Sequence, residues 1–308
     1  MRHLTHLRYI DVVAREKSIR KASEKLNITS TALNRRILAL EEEVGTPLFE
    51  RLPSGVRLNT AGELFIQHIR SQMTDLSRVL SQISDLSGVR RGHVIISGGP
   101  EILSSFLPGQ IAKYRQDFQA VQFDVLRQTP EQSLTALMNF EIDMAFIFDS
   151  VLPSDLDIVA SVTQPLFALV HKVHPLAKKE TLKLQDCLAW PIISPLSEGG
   201  LKTMLEVGRL RTAANLQTVI KTDEPNFISD YIRNENAIGF AIPLSFEENN
   251  QIVTGLKSIA IDERDVPPGI VHLVQRKGRV LSVAAAKFID QIVPVSYTHL
   301  TLPTKRIV

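Results

Sequence analysis

The stretch from Ser18 to Arg51, SIRKASEKLNITSTALNRRILALEEEVGTPLFER, constrains this chain more than any other. Its apolar spacing predicts two short amphipathic helices with a tight break between them. The first runs over Ile19–Leu26, with Ser18 as N-cap and Ala22 and Leu26 turned inward. Asn27-Ile28 forms the break, and Thr29 caps the second helix because its hydroxyl can take up an orphan N–H of the first turn. In that helix Leu33, Ile37 and Leu40 fall at i, i+4 and i+7, one stripe that packs on the first helix. The opposite face carries Ser30, Thr31, Asn34, Arg35 and, further round, Leu38, with Arg36 beside them. Small hydroxyls, an amide and guanidinium groups hydrogen-bond base edges and phosphates, and such a face is narrow enough for a major groove. The pattern is that of a helix-turn-helix. For a generic helix the bland reading, a solvated basic face, carries most of the weight.

The flanking residues shift that weight. Leu4–Arg15 is predicted as a preceding scaffold helix, with Leu4, Leu7, Ile10 or Asp11, and Ala14 near helical spacing. Gly45 ends the second helix, with Glu41–Glu43 solvent-facing or paired and not a metal site. Leu52-Pro53-Ser54-Gly55 is a turn between Pro47-Leu48-Phe49 and Val56-Arg57-Leu58. This hairpin is expected to act as a wing, with Arg51 and Arg57 beside the duplex backbone. Residues 1–60 hold eleven Lys/Arg against seven Asp/Glu, an excess of four in a chain whose net charge is +2. The basic excess therefore sits with the helix-turn-helix, as phosphate binding requires.

With Leu7, Ala22-Ser23, Leu26, Ala32, Ile37, Leu40-Glu41, Gly45, Leu48-Phe49, Arg51, Leu58 and Ala61-Gly62 in unbroken register, the stretch Leu4–Gly62 resembles the DNA-binding domain of LysR-type transcriptional regulators. The sequence departs from that family where it reads DNA: Ser30 stands for a usual Gln and Asn34 for a usual Ser. An operator sequence borrowed from relatives therefore does not transfer.

A long helix follows, capped by Thr60 with Glu63 in a capping box or alternatively by Asn59. Ile66, Ile69, Met73, Leu76, Leu80 and Ile83 alternate in steps of three and four, an a/d seam. Gln67, Arg70, Ser71, Asp75, Arg78, Ser81 and Asp85 are its expected polar flanks. A dimer is the reading, because a helix-turn-helix needs two copies for two half-sites. Gly88 to Gly92 is the expected hinge.

From His93 the period changes. Strands are predicted at His93–Gly98, Val121–Gln128, Asp143–Phe148, Leu166–His171, Ile192–Ser194, Gln217–Thr222 and Ile238–Ile242. Helices are predicted at Ile102–Gln116, Glu131–Asn139, Gly200–Thr212 and Asn226–Asn234. That alternation argues for mostly parallel α/β sheets. The two halves resemble the two-lobed ligand-binding fold found C-terminal in the same regulators, with His174-Pro175-Leu176-Ala177 and Ala237–Ala241 as supporting marks and Phe118 and Phe140 standing where relatives often carry Pro and Gly. Crossings between lobes are placed near Ser161–Pro165 and Asp262–Gly269. The ligand then belongs at the carboxyl ends of strands, which implicates Gly98, Gly99, Pro100, Glu101, Phe146, Phe148, Ser194, Ser197 and Thr222, with Asp223 beside them. Gly98-Gly99 lets a ligand approach the backbone and the next helix N-terminus favours an anion. The resemblance implies a carboxylate effector; Glu101 and Asp149 would repel one.

The expected fold class is thus α+β overall. It comprises an N-terminal all-α winged helix-turn-helix (1–60), a long dimerisation helix (61–91), and a C-terminal two-lobed α/β, periplasmic-binding-protein-like effector domain (92–295). Lobe I takes about 92–162 and 266–295, and lobe II about 163–265. The expected partners are double-stranded DNA, a small-molecule effector, a second copy of the chain as homodimer or tetramer, and RNA polymerase. No cofactor, metal site or catalytic residue is predicted: there is no Walker loop, HExxH, CxxC or GxSxG, and His171 and His174 read as surface histidines. No run of about 18 apolar residues spans a membrane, the N-terminus is too charged for a signal peptide, and one cysteine, Cys187, fits a reducing cytoplasm, filling a helix sooner than sensing redox state. Val295–Thr304, VSYTHLTLPT, resembles the in-frame translation of a transposase adapter used in sequencing libraries, so Ser296–Val308 is expected to be a non-native tail. The competing class is an α/β solute-binding or enzymatic protein whose N-terminal helices serve assembly only.

Overall fold

The computed structural model describes residues 2–86, 92–148, 151–245 and 255–298. The chain divides into two compact units between positions 83 and 84. The hinge positions 88–91, Asp149 and the tail from 299 onward lie outside the described residues.

In the first unit, α1 (Arg2–Glu16), α2 (Ile19–Lys25) and α3 (Ser30–Val44) precede a hairpin of β1 (Phe49–Leu52) and β2 (Gly55–Leu58) and the long helix α4 (Thr60–Leu86). The caps are local chemistry. The Ser18 side chain accepts from Lys21 N and the Thr29 side chain from Ala32 N. Asn27 takes a positive φ of 52° at the break, and Gly45 ends α3 in the left-handed region at φ 79°, where glycine pays no Cβ penalty. Ile10 and Val13, Ala22, Leu33 and Ile37, Val56, Ile66 and Ile69 form one buried core.

The wing is fastened to this core by backbone. Gly55, at φ 140°, lies so close to the turn after α1 that a Cβ would sit 2.3 Å from the Lys17 carbonyl oxygen. Val56 N donates to that same oxygen at 3.0 Å. Glu41 is neither solvent-facing nor ion-paired. Its Oε1 accepts from Leu48 N at 2.7 Å and Phe49 N at 3.0 Å, so it terminates the strand entry. The cap of α4 is Asn59, not the Thr60/Glu63 box: Gly62 N donates to Asn59 Oδ1 at 2.8 Å.

The seam of α4 divides in two. Ile66 and Ile69 are buried in the unit's own core with Met73 packed against it, whereas Leu80 and Ile83 are exposed. Arg70, expected as a polar flank, is buried and its Nε meets Asp11 Oδ1 at 2.6 Å.

In the second unit, β3 (Gly92–Gly98), α5 (Pro100–Leu103), α6 (Phe106–Asp117), β4 (Val121–Arg127), α7 (Pro130–Met138), β5 (Met144–Phe148) and β6 (Leu156–Gln164) come first. Then follow β7 (Phe167–His171), β8 (Thr181–Leu182), β9 (Ile192–Ser194), α8 (Gly200–Thr212), β10 (Thr218–Lys221), α9 (Pro225–Asn234), β11 (Gly239–Ala241) and β12 (Leu256–Ile261). The chain returns through β13 (Gly269–Arg276) and ends in α10 (Val283–Thr298). One sheet has the order β4-β3-β5-β13-β6 and another β11-β7-β12-β8, with β10-β9 a separate parallel pair.

The expectation of mostly parallel sheets needs correcting. β13 runs antiparallel to both β5 and β6, and β7 antiparallel to both β11 and β12. Strands β6, β8, β12 and β13 were not predicted. β6 and β13 pair along their length, with Gly269 opposite Gln164, so both crossings between sheets leave from the same end of two neighbouring strands. Phe140, where relatives often carry Gly, holds φ 57°, and its ring is covered by the Arg276 guanidinium at 4.0 Å. His174 is no surface residue. It is buried, its Nδ1 accepts from Leu176 N at 3.1 Å, and its ring lies 4.3 Å from Trp190.

Candidate nucleic-acid interface and ligand cleft

The outward face of α3 is built by its two neighbours, α2 and the wing. Thr31 and Arg35 are exposed, and Asn34 is half-buried. Ser30 meets Ser23 Oγ at 2.8 Å, and Ser23 also donates to the Arg20 carbonyl at 2.7 Å. Since the Ser23 proton is spent there, Ser30 is the donor of the pair and keeps only acceptor capacity on its outer side. Arg51 on β1 donates through Nη2 to Asn34 Oδ1 at 2.9 Å. A guanidinium has no acceptor, so the amide orientation is fixed: the Asn34 NH2 group faces away from Arg51. Arg36 is drawn to the side, its guanidinium 4.7 Å above the Tyr9 ring. Arg57 is tied across the hairpin to its register partner Glu50, Nε to Oε2 at 2.6 Å. The structure thus brings Ser30, Thr31, Asn34, Arg35 and Arg51 together and gives Ser30, Asn34, Arg36, Arg51 and Arg57 each a partner within the chain. The roles of Ser23, Tyr9 and Glu50 were not read from the sequence, because each depends on a neighbouring element.

The second unit holds two adjoining cavities that share Pro100, Glu101, Pro195 and Asp223. One, about 710 Å3 with open solvent included, lies between α5 and the β11-β7-β12 sheet. Leu169, Ile193, Leu201, Ile228, Phe240 and Leu256 make its apolar wall, and Ser194 and Thr222 bring hydroxyls. The other is lined by Gly99, Arg127, Thr129, Gln132, Phe146, Phe148, Ser197 and Lys202 among others. That size and character suit a small molecule. Of the predicted ligand residues, Pro100, Glu101, Ser194 and Thr222 line the first cavity and Gly99, Phe146, Phe148 and Ser197 the second, while Gly98 lines neither. Arg127 and Thr129 were missed, although the rule that picked the other loops, the carboxyl end of a strand, applies equally to β4.

Two local devices shape the cleft. Gly200 is where the Phe148 ring lies against the backbone; a Cβ there would fall 1.4 Å from Phe148 Cδ1. Asp223 is the loop organiser, accepting from Leu196 N at 2.9 Å, from Ser197 N at 3.0 Å and from Ser197 Oγ, with Arg127 at 3.4 Å. Burial pushes its carboxyl up, but the Ser197 and Leu196 hydrogen bonds and Arg127 outweigh that and hold it below the usual carboxylate range. Glu101 behaves oppositely. Loss of hydration, with Asp223 adding repulsion, holds its carboxyl above the usual range despite a bond from its own N–H and the charge of Arg127.

The glycines and the helix end before Glu101 also differ from expectation. Neither Gly98 nor Gly99 has a positive φ. A Cβ on Gly99 would meet Glu101 Oε2 at 2.5 Å, so the room there is taken by the chain's own carboxylate. The α5 N-terminus is one short turn beginning at Pro100, which has no N–H to offer an anion.

Comparison with known proteins agrees with both halves. Residues 4–63 match the model of the bacterial regulatory helix-turn-helix protein, lysR family, and residues 87–295 that of the LysR substrate binding domain. The chain is 28% identical over 207 residues to the uncharacterised HTH-type transcriptional regulator YbhD of Escherichia coli K12, covering 67% of this chain and 65% of that one, less than two thirds of its length. To the HTH-type transcriptional regulator AlsR of Bacillus subtilis 168 it is 27% identical, covering 86% of this chain and 80% of AlsR. The crystal structure of full-length CbnR complexed with its target DNA shares the fold at TM-score 0.59 and 16% identity, over 95% of this chain and 99% of CbnR.

Proposed function

The chain belongs to the LysR family of transcriptional regulators, DNA-binding proteins with a C-terminal effector domain, and from that premise we propose that it reads a pseudo-palindromic operator as a dimer through the outward face of α3. The observation that carries this reading is the joint placement of Thr31, Asn34 and Arg35 on one face with Arg51 bonded to Asn34 at its edge. Thr31, Asn34 and Arg35 read base edges, Ser30 contributes as an acceptor, and Arg36, Arg51 and Arg57 serve phosphates. CbnR, whose fold is shared, is itself bound to target DNA.

The exposed Leu80 and Ile83 on α4 continue the a/d seam beyond the unit's own core, a strip suited to a second copy of the helix. Dimers pair into tetramers if the chain follows its resemblance, contact with RNA polymerase accompanies regulation, and work on operator DNA places the protein in the cytoplasm. A ligand in the cleft acts by drawing the two sheets together about the paired β6/β13 crossings, and so changes how copies pair on DNA. A carboxylate effector rests on the resemblance alone; Glu101 and Asp223 line the cleft it would enter.

The test is binding to the DNA flanking its own gene, with genomic fragments as competitor and salt varied. The expected result is a protected two-fold site whose affinity falls steeply with salt. No preferential binding at any salt would leave α3 an ordinary surface helix and favour a solute-binding protein.

A further inference from the structure

We propose that the effector is an organic cation, an amine or ammonium group carried on an apolar body, and that Glu101 is its counter-ion. This rests on the reading of the cleft as the effector site and deepens it.

The argument is one of charge in a confined apolar space. The cavity beside α5 is lined by two carboxylates, Glu101 and Asp223, and by no basic residue. The adjoining cavity adds Arg127 and Lys202, each of which already has a carboxylate partner in this chain that an incoming anion would have to compete with. Arg127 is held between Asp223 at 3.4 Å and Glu224 at 2.8 Å. Lys202 is paired one helical turn back with Glu198. Asp223 in turn is satisfied by Leu196, Ser197 and Arg127. Glu101 is different: it takes part in no ion pair among the described residues, and its charge is stabilised by a bond from its own N–H and, at longer range, by Arg127, which is itself paired with Asp223 and Glu224.

A carboxylate ligand entering here would meet two like charges at low hydration, with hydroxyls such as Ser194 and Thr222 but no cation lining the cavity to offset the loss of its own water. A cation meets the reverse. It would give Glu101 a direct ion-pair partner, which Arg127 at longer range is not, and the burial that disfavours the carboxylate would strengthen the pair. A bare metal ion does not fit. Among the described residues no group of three or more His, Cys, Asp or Glu side chains could hold one. The wall of Leu169, Ile193, Leu201, Ile228, Phe240 and Leu256 instead asks for hydrocarbon behind the charge.

Three probes of matched shape separate the possibilities: phenethylamine, 2-phenylethanol and 3-phenylpropionate, titrated calorimetrically at millimolar concentration into the full-length protein. The same titrations are run on Glu101→Gln and on Ser194→Trp, which fills the cleft. Circular dichroism and thermal melting establish that each variant is folded. The expected result is that the amine binds at least about tenfold tighter than the acid, that Glu101→Gln abolishes this preference, and that Ser194→Trp abolishes binding of all three. Preference for the acid or the alcohol, or a preference for the amine that survives Glu101→Gln, would overturn the charge assignment while binding lost in Ser194→Trp keeps the cleft as the site. Amine binding that persists in Ser194→Trp, or no binding by any probe, would overturn the cleft reading and the assignment with it.

Discussion

Replacing Asp11 should unfold the DNA-binding unit at a lower temperature by a margin that surface mutations do not reach. Asp11 on α1 and Arg70 on α4 are 59 residues apart and meet at 2.6 Å, with only 8% and 7% of their side-chain surfaces exposed. Arg15 also reaches Asp11, at 2.9 Å, but 45% of its side chain remains in solvent. Asp11→Ala would remove the carboxylate while leaving the Arg70 guanidinium in a dehydrated site. Breaking a buried pair in this way costs about 3–5 kcal/mol; the lost contact to Arg15 adds at most about 1 kcal/mol, because an exposed guanidinium rehydrates. For a unit of this length each kcal/mol moves Tm by roughly 4–8 °C, so a fall of about 12 °C or more is expected in its melting transition. The assay is differential scanning calorimetry of the full chain, with operator binding followed against temperature to assign the transition. The companion variant, Asp11→Leu with Arg70→Met, removes both charges and should recover most of the loss, since apolar replacement of a buried pair is often near neutral. A shift below about 4 °C for Asp11→Ala would refute the argument. So would a double variant no more stable than the single one.

Arg51→Ala should alter which base is preferred at the position Asn34 reads, with a discrimination change of about 1–3 kcal/mol, because the amide is then released to turn its oxygen outward. Selection from randomised duplexes measures this, and uniform weakening would show that Asn34 does not depend on Arg51. Arg57→Ala should leave base preference alone and reduce the slope of log affinity against log salt by about one, whereas Glu50→Gln, which frees Arg57, should tighten binding at low salt by no more than about 1 kcal/mol; a change in base preference for either would contradict a phosphate role. Cys187 is fully buried in the 3-10 turn Leu184–Cys187, and burial pushes its thiol up to about 12, so at pH 8 almost no thiolate is present. Iodoacetamide should leave the native protein unlabelled and label it stoichiometrically in denaturant, and rapid native labelling would count against this burial.

The first unit was the more readable of the two because its determinants are local. Ser18, Thr29 and Gly45 do their work within one helical turn of themselves, and the Leu33/Ile37 stripe needs no knowledge of what lies opposite. Reading failed where a side chain is claimed by a distant element. Thr60 and Glu63 fit a capping box as well as Asn59 does, but Asn59 also bonds the Pro47 carbonyl through Nδ2 at 2.9 Å and the Leu48 carbonyl through its own N–H at 3.0 Å, and those contacts decide which residue stands at the cap. Arg70 looked like a flank for the same reason, since its partner lies on α1. Ile66 and Ile69 carry the seam's spacing but belong to the core, and spacing alone does not tell an intramolecular stripe from an intermolecular one.

In the second unit the helix-strand alternation was legible and misled by its regularity. Leu156–Gln164 alternates buried and more exposed residues along much of its length, a pattern expected of a strand with one covered face, yet among the described residues no helix precedes it after β5, and so it broke the expected rhythm. β12 and β13 were passed over likewise. These unread strands bear directly on function, for β6 and β13 carry both crossings, and Gln164 at the end of β6 accepts from Leu244 N through Oε1 at 3.0 Å, fastening the crossing to the residues after β11. The charge of the cleft has the same history. Glu101 and Asp223 were visible as acidic residues at strand ends, whereas Arg127 and Lys202, far apart in sequence, meet only as lining of the adjoining cavity, where unpaired they would make an anion site. What offsets that is the pairing of each cation with a carboxylate from its own chain: the Lys202–Glu198 pair is legible from its i,i+4 spacing, but the pairing of Arg127 with Asp223 and Glu224 is not. The sign of a binding site follows from which charges are already spent, and here the one left unspent is negative.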